Sequence, residues 1–360
     1  MARIAVIFGT RPEIIRLARV VKALERNHEV VLINTRQNFE RNLSDIFLSD
    51  LEFRKVDFSF TLSTQGKEKR IKEIQEKSED LLRQLNPDCV LILGDTYSGL
   101  SAISAKSLGI PVYHMEAGNR CYSSELPEEL NRVIIDNNSK YLLPYTEGSR
   151  SNLIKEGFSR ESIYVTGNPI YEVLCYFESK IDSSSILETF KLEDRDYLLC
   201  TMHRAEGIDV PERLSSMLSA LKKFNEETNI PVLITTHPRL KSRLDQASLE
   251  PSGLNFLPPL NFFDFIKLEK NALLVATDSG TVQEEACIFG VPAVTLREVT
   301  ERPETIECGS NELVGYSSER IFERLLATSR PNQRDWKVPD EYLVEDVSER
   351  VSSFIKETVK

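Results

Sequence analysis

The sequence predicts an α/β protein made of two facing Rossmann-like domains. Short apolar runs alternate with longer helical patterns from the first residues onward, which is typical of βαβ units and parallel sheets. The chain has 360 residues, which is too long for one ordinary hydrophobic core and suits two domains with a cleft between them. Hydrophobic residues make up 41% of the chain and charged residues 28%, a composition that indicates a folded globular protein.

The first domain is predicted to cover residues 1–168. An apolar run at residues 4–8 predicts its first strand, and Pro12 favours a helix over residues 13–24 because its backbone angle suits the first helical position. The remaining elements are predicted as strands at 30–34, 89–93, 112–115, 141–145 and 163–165, with helices at 66–85 and 98–108. Together they complete one doubly wound domain.

The second domain is predicted to cover residues 190–343, after a linker over 169–189 that contains three consecutive serines. Its elements are predicted as strands at 197–201, 232–235, 273–277 and 293–296, with helices at 211–227 and 280–289. A last helix within residues 344–360 either closes the second domain or crosses back to the first. The local pattern leaves both arrangements open.

Charge and cysteine content exclude several classes of partner. Forty-five basic against 56 acidic residues give a net charge of −11, and no block of Lys or Arg predicts a nucleic-acid or anionic-membrane surface. Six scattered cysteines indicate reduced thiols and a cytoplasmic location. No secretory segment or run of about 18 apolar residues predicts export or a membrane span. Neither metal-binding spacing nor a dinucleotide or P-loop motif occurs, so no metal or cofactor is expected.

Three carboxylates follow predicted strands of the first domain. Asp95 and Glu116 come after apolar runs, and Glu128 lies further along the same segment together with Arg120 and Arg132. Because the carboxyl ends of parallel strands meet at the edge where α/β sheets bind ligands, we expect these acids to form the reacting centre. Helix capping, or surface ion pairing with the two arginines, is the alternative for each acid taken alone.

A second candidate site begins where the strand at 273–277 ends. Ser279 and Gly280 open a helix whose free N–H groups and positive dipole end suit a diphosphate, and Glu285, one turn later, can accept hydrogen bonds from a ribose. The alternative is that Asp278 and Ser279 simply cap the helix.

Further cationic and aromatic residues lie at predicted strand ends. A lone histidine is more often structural than catalytic, but a position at the carboxyl end of a strand favours a role in the cleft. Phe265 belongs to an aromatic cluster that either fills the core or stacks on a base. The other candidates at these edges are Arg11, Arg16, His203, Arg204, His237 and Arg302.

In order along the chain, these segments resemble the motifs of the non-hydrolysing UDP-N-acetylglucosamine 2-epimerase family. The motifs are GTRPE at 9–13, GDT at 94–96, HMEAG at 114–118, PEE at 127–129, HR at 203–204, DSG at 278–280, QEE at 283–285 and TERPE at 300–304. The resemblance implies a glycosyltransferase-B type of fold, with the active site in the interdomain cleft. It also implies UDP on the C-terminal domain, the sugar facing the N-terminal one, and a homodimer.

The resemblance assigns roles residue by residue. It implies acid/base carboxylates at Asp95, Glu116 and Glu128 and a phosphate-side histidine at His203. The implied UDP-binding residues are Arg11, Phe265, Ser279, Gly280, Glu285 and Arg302, with Arg16, Arg120, Arg132, Arg204 and His237 in support. The implied reaction eliminates UDP to a 2-acetamidoglycal and adds it back with inversion at C2, without metal or nicotinamide.

Two departures from the main family pattern concern the sugar. Arg16 stands where the main branch has lysine, and Thr281 stands where it has a second glycine. The segments MEAGNRC at 115–121 and LPYTE at 143–147 resemble the branch that converts UDP-2-acetamido-2,6-dideoxy-L-talose to UDP-N-acetyl-L-fucosamine. That product is a precursor of surface polysaccharide such as capsule or O-antigen. Conversion of UDP-N-acetylglucosamine to UDP-N-acetylmannosamine is the first alternative; a UDP-sugar glycosyltransferase or a non-catalytic nucleotide-sugar sensor is the second.

Overall fold

The computed structural model describes residues 1–37, 47–63, 66–123, 126–247, 253–330 and 335–359. The chain divides into two compact units, one of Met1–Tyr176 with Asp340–Lys360 and one of Phe177–Pro339. Each unit contains a six-stranded sheet whose neighbouring strands are parallel. The predicted α/β class with two Rossmann-like sheets is therefore confirmed.

The sheet of the first unit has the strand order β3-β2-β1-β4-β5-β6. Its strands are β1 Arg3–Phe8, β2 Glu29–Asn34, β3 Phe58–Ser59, β4 Cys89–Leu93, β5 Val112–Met115 and β6 Tyr141–Leu143. The order reverses between β1 and β4, and Ile7 pairs with Ile92, which in turn pairs with His114. The carboxyl ends of β1, β4 and β5 are thus level at the switch point where such sheets bind ligands.

The α-helices of the first unit include Arg11–Glu25, Lys67–Leu85, Ser101–Ser107, Pro127–Asn138, Glu147–Lys155, Pro169–Tyr176 and Val347–Thr358. Short 3₁₀ turns lie at Tyr97–Leu100, Arg160–Ser162 and Asp340–Tyr342. The last helix buries Val351 and Ile355, and Ser352 Oγ donates to Ala23 O at 3.4 Å. Of the two arrangements left open by the sequence, the structure therefore shows the last helix packed within the first unit.

The sheet of the second unit has the order β12-β11-β10-β7-β8-β9 and reverses between β10 and β7. Its strands are β7 Leu198–Thr201, β8 Val232–Thr235, β9 Asn255–Leu257, β10 Leu274–Thr277, β11 Ala293–Thr295 and β12 Asn311–Leu313. Its helices are Glu178–Asp182, Ile186–Phe190, Ala205–Ile208, Pro211–Thr228, Pro238–Ala247, Phe262–Lys270, Gly280–Ile288, Pro303–Glu307 and Ser318–Thr328. Across the described ranges, no helix is both long and apolar enough to cross a membrane.

Two local predictions differ from the structure. Residues 163–165 form no strand, because only Ile163 pairs with Leu142, through a single bridge. Residues 169–189, predicted as a linker, instead contain three helices. The first of these buries Ile170, Val173 and Leu174, whose spacing places them on one helix face.

Candidate active site

Asp95 stands two residues after β4, at the carboxyl edge of the first sheet. Its Oδ2 lies 2.5 Å from Arg132 Nη2, and its backbone oxygen accepts from Asn131 Nδ2 at 2.8 Å. The Arg132 side chain is 3% exposed, whereas that of Asp95 is 22% exposed. The buried guanidinium of Arg132, on the helix Pro127–Asn138, therefore orients the Asp95 carboxylate. That carboxylate remains within reach of solvent or substrate.

Glu116 follows β5 directly and is buried. Its Oε2 lies 3.1 Å from Arg16 Nη1 and accepts from the Tyr145 hydroxyl at 3.3 Å, while Asn119 Nδ2 donates to Oε1 at 3.4 Å. Its backbone φ is +67°, a left-handed conformation that costs a non-glycine residue roughly 1–2 kcal/mol. Such strain persists where the surroundings determine the conformation, and it occurs often at functional sites.

Glu128 and its neighbour Glu129 occupy different environments. Glu128 is partly exposed, and within the described ranges no residue hydrogen-bonds to its carboxylate. Glu129 is buried, lies 2.7 Å from Arg132 Nη1, and accepts from the backbone N–H groups of Cys121 and Tyr122. Sequence reasoning gave Glu129 no role, although its spacing of three residues from Arg132 on a helix was an available signal.

The turn after β1 is organised by another carboxylate without a predicted role. Glu13 Oε2 accepts from the backbone N–H groups of Gly9 at 3.1 Å and Thr10 at 2.8 Å. Burial raises the pKa of Glu13 to about 7, although these hydrogen bonds act to lower it. Gly9 is required because a Cβ there would overlap Thr35 Oγ1. The neighbouring Arg11 lies over the Phe47 ring, 5.5 Å from its centroid.

Asp278 organises the corresponding edge of the second sheet. Its Oδ1 lies 3.0 Å from His203 Nδ1, and its Oδ2 accepts from the backbone N–H groups of His203 at 2.7 Å and Arg204 at 2.8 Å. Burial opposes ionisation, yet the charge of His203 and these hydrogen bonds lower the pKa of Asp278 to about 2. The resulting anion orients the His203 ring, which lies 5.6 Å from the His237 ring.

Ser279 and Gly280 begin the nine-residue helix Gly280–Ile288, as predicted. A Cβ at Gly280 would lie 2.7 Å from Glu301 Oε1. The Glu301 carboxylate cannot move away freely, because it is 3.2 Å from Arg204 Nη2 and 3.0 Å from Arg297 Nη1. Glycine at this position thus allows the helix start to lie against a buried ion-pair cluster.

The same helix carries two buried glutamates. Glu284 Oε1 lies 2.5 Å from Arg302 Nε, which holds this predicted UDP-binding arginine against the helix. Glu285 is 2% exposed and Glu269 is 0% exposed. The pKa of Glu269 is raised well above its ordinary value. Burial is the larger cause, and the neighbouring carboxyl group of Glu285 is the second. Two adjacent buried carboxyls cannot both ionise, so Glu269 is the neutral member of the pair.

Phe265 and Arg120 each contact other residues of their own unit. Phe265 is half-buried and packs against a hydrophobic core cluster of the second unit. Arg120 is buried and pairs with Asp136 and Glu156, so it serves the packing of the loop after β5.

Among the residues that the structure describes, no cluster of three or more His, Cys, Asp or Glu side chains could hold a metal ion.

Comparison with known proteins decides the family. A family model described as UDP-N-acetylglucosamine 2-epimerase matches residues 22–356. The chain belongs to this family. The UDP-N-acetylglucosamine 2-epimerase of Methanocaldococcus jannaschii is 36% identical over 348 residues, covering 94% of each chain. The crystal structure of a UDP-GlcNAc 2-epimerase from that organism, in complex with UDP-GlcNAc and UDP, matches with a TM-score of 0.93 and 34% identity over 99% of each chain.

Membership of the UDP-N-acetylglucosamine 2-epimerase family confirms two predictions from sequence, the family resemblance and the assignment as an isomerase. A further relative shows that named substrates vary among similar proteins. The UDP-2,3-diacetamido-2,3-dideoxy-D-glucuronate 2-epimerase of Pseudomonas aeruginosa is 33% identical over 328 residues, covering 89% of this chain and 90% of its own. Overall similarity therefore supports the reaction class better than the identity of one sugar.

Proposed function

We propose that the protein inverts C2 of a UDP-N-acetylhexosamine by eliminating UDP and adding it back. The observation that carries this proposal is the pairing of Asp95 and Glu116 at one sheet edge with the buried cations Arg132 and Arg16. Each carboxylate is thereby held in a defined position beside a cation, and a positioned carboxyl group can act as an acid or a base. The Methanocaldococcus relative crystallised with UDP-GlcNAc and UDP supports the same class of ligand.

The order of bond breaking follows from the chemistry of the sugar. The C2 hydrogen is not acidic while the anomeric C–O bond is intact. When that bond breaks, its electron pair leaves with the diphosphate and positive charge develops at C1, which acidifies the C2 hydrogen. A carboxylate then takes the proton, a C1=C2 double bond forms, and a 2-acetamidoglycal remains. Return of a proton to the opposite face of C2, followed by addition of UDP at C1, gives the epimer.

The second unit supplies groups suited to the departing nucleotide. His203 is oriented by Asp278, and the helix that begins after Ser279 presents free N–H groups and a positive dipole end. These groups would stabilise the negative charge of the leaving diphosphate, with Arg11 from the first unit. Glu285 would accept from the ribose hydroxyls, the exposed part of Phe265 would contact uracil, and Arg302, Arg204 and His237 would support them.

Protonation on two faces of C2 requires more than one acid. Glu116 is bound by Arg16 and is the more buried of the pair, whereas Asp95 is more accessible. The partly exposed carboxyl of Glu128 has no hydrogen-bond partner among the described residues and remains available to a substrate hydroxyl or proton. We assign the acid/base work to these three residues together, without a face for each.

For the sugar, we propose UDP-2-acetamido-2,6-dideoxy-L-talose, which would give UDP-N-acetyl-L-fucosamine for surface polysaccharide. The resemblance of residues 115–121 and 143–147 to that branch supports this choice, and Arg16 and Thr281 depart from the main family pattern. The second candidate, UDP-N-acetylglucosamine, is favoured by the similarity to the Methanocaldococcus enzyme. Incubating each sugar nucleotide in D₂O and measuring deuterium at C2 by NMR distinguishes them. We further propose that the enzyme acts as a homodimer in the cytoplasm.

The acid/base assignment is tested with Glu116→Gln and Asp95→Asn. Each variant should lose C2 deuterium exchange, because the amide cannot take the proton, and should bind UDP with unchanged affinity by calorimetry. Glu79→Gln is the matched control, since Glu79 lies in a surface pair with Arg83 and is 43% exposed. Exchange at the wild-type rate in both active-site variants would refute the assignment.

A further inference from the structure

One buried network connects the two loops that carry Asp95 and Glu116. His114 on β5 is fully buried, and its Nε2 lies 2.9 Å from the backbone oxygen of Gly94, the residue immediately before Asp95. A carbonyl oxygen can only accept a hydrogen bond, so Nε2 carries the proton. The other ring nitrogen, Nδ1, lies 2.7 Å from Asp136 Oδ1.

Asp136 continues the network to the loop after β5. It lies in the last turn of the helix Pro127–Asn138 and is fully buried. Its Oδ2 accepts from Arg120 Nη2 at 2.7 Å and faces the backbone N–H of Gly118 at 3.3 Å. Burial opposes ionisation of this group, yet His114 and Arg120 lower the pKa of Asp136. A single anion therefore contacts the histidine ring and the loop that begins at Glu116.

The loop after β5 needs such support because its backbone is unusual. Glu116 has φ +67° and Gly118 has φ +77°. A side chain at Gly118 would overlap the backbone oxygen of Ser149, so the loop packs directly on the helix Glu147–Lys155. A conformation of this kind is kept only where several contacts determine it together. The contacts from Asp136 reach the loop within two residues of the Glu116 carboxylate.

We propose that His114 and Asp136 are positioning residues that set the relative placement of Asp95 and Glu116. This inference rests on the proposed function, in which both acids must meet one sugar carbon. Neither residue reaches a substrate, because both are fully buried. They act through Gly94 on one side and Gly118 on the other. Their loss should therefore slow proton transfer while leaving nucleotide binding intact.

Two substitutions of His114 separate the arms of the network. His114→Gln keeps an N–H donor near the Nε2 position and loses the contact with Asp136, whereas His114→Asn keeps a donor near the Nδ1 position and loses the contact with Gly94. Asp136→Asn keeps the shape and removes the charge. His28→Gln is the matched control, because His28 is a second buried histidine of the same unit and its Nδ1 accepts from the Ala2 N–H at 3.4 Å.

We expect both His114 variants and Asp136→Asn to lower kcat by roughly 10- to 100-fold, because small displacements of reacting groups have effects of this size. UDP affinity by calorimetry should change by less than about threefold, since the loss falls on the chemical step. In the His114→Gln, Asp136→Asn double variant, kcat should fall about as far as in the more impaired single variant, because coupled residues do not act additively. His28→Gln should keep the wild-type kcat.

Amide hydrogen exchange provides a readout that does not depend on turnover. Peptides covering residues 93–98 and 115–121 should exchange faster in the His114 variants and not in His28→Gln. Unchanged protection in these peptides, or a kcat within twofold of wild type, would overturn the inference. A wild-type enzyme that incorporates no deuterium at C2 of any UDP-N-acetylhexosamine would instead overturn the proposed function, so the two failures are distinguishable.

Discussion

Replacing Arg132 by methionine tests the electrostatic basis of the first-unit site. The Arg132 side chain is 3% exposed and lies 2.5 Å from Asp95 Oδ2 and 2.7 Å from Glu129 Oε2. Removing one partner of a buried ion pair costs about 3–5 kcal/mol, because the remaining charge stays desolvated. Here Glu129 keeps two backbone N–H donors and Asp95 keeps access to water, so we expect a loss near the lower limit, about 3 kcal/mol.

The matched control is Arg83→Met. Arg83 forms a surface pair with Glu79 on a helix and is 64% exposed, so its loss should cost roughly 0.5 kcal/mol or less. Urea unfolding followed by far-UV circular dichroism should show a lower midpoint for Arg132→Met with an unchanged slope. The single tryptophan, Trp336, lies in the second unit and its fluorescence serves as an internal reference. Equal midpoints for the two variants would refute the reasoning.

Two further predictions concern the second unit. Glu269 has a raised folded-state pKa, so the native state holds a proton that the unfolded chain releases above about pH 4.5, and stability falls as pH rises. Glu269→Gln should therefore gain stability over wild type between pH 5 and pH 8 in urea unfolding, whereas the exposed Glu226→Gln should show no such trend. Gly280→Ala places a Cβ 2.7 Å from Glu301 Oε1 and should weaken UDP binding roughly tenfold by calorimetry, because the helix start must shift. Gly207→Ala, whose Cβ would make an ordinary 3.4 Å contact, should bind UDP as wild type does; equal affinities for the two alanine variants would contradict the role of Gly280.

Much of the fold was predictable because its signals are local. The apolar runs that became β1, β4, β5, β7 and β8 predicted where each strand ends, and polar residues directly after them were expected at the binding edge. The short strands β3, β9 and β12 were missed, since two or three residues carry no measurable periodicity. Pro169 and the three serines at 183–185 suggested a linker, although the apolar spacing beyond Pro169 is that of a helix.

The sequence did not predict which of the adjacent glutamates, Glu128 or Glu129, contacts Arg132. The sequence analysis selected Glu128 and gave Glu129 no role, whereas the structure places Glu129 in contact with Arg132. Adjacent helix positions differ by about 100° in direction, so the rotation of the helix decides which carboxylate faces the arginine. That rotation depends on how Ile135 and its neighbours pack against the sheet, which a motif does not encode.

By itself, the sequence determined the α/β class and placed the candidate acids at strand ends, because strand ends and helix starts follow from neighbouring residues. Only the tertiary structure decided that Arg16 meets Glu116, 100 positions away, and that the helix Val347–Thr358 packs in the first unit. Contacts between distant residues depend on strand order and helix rotation. These are set by the packing of the whole unit and by no local pattern.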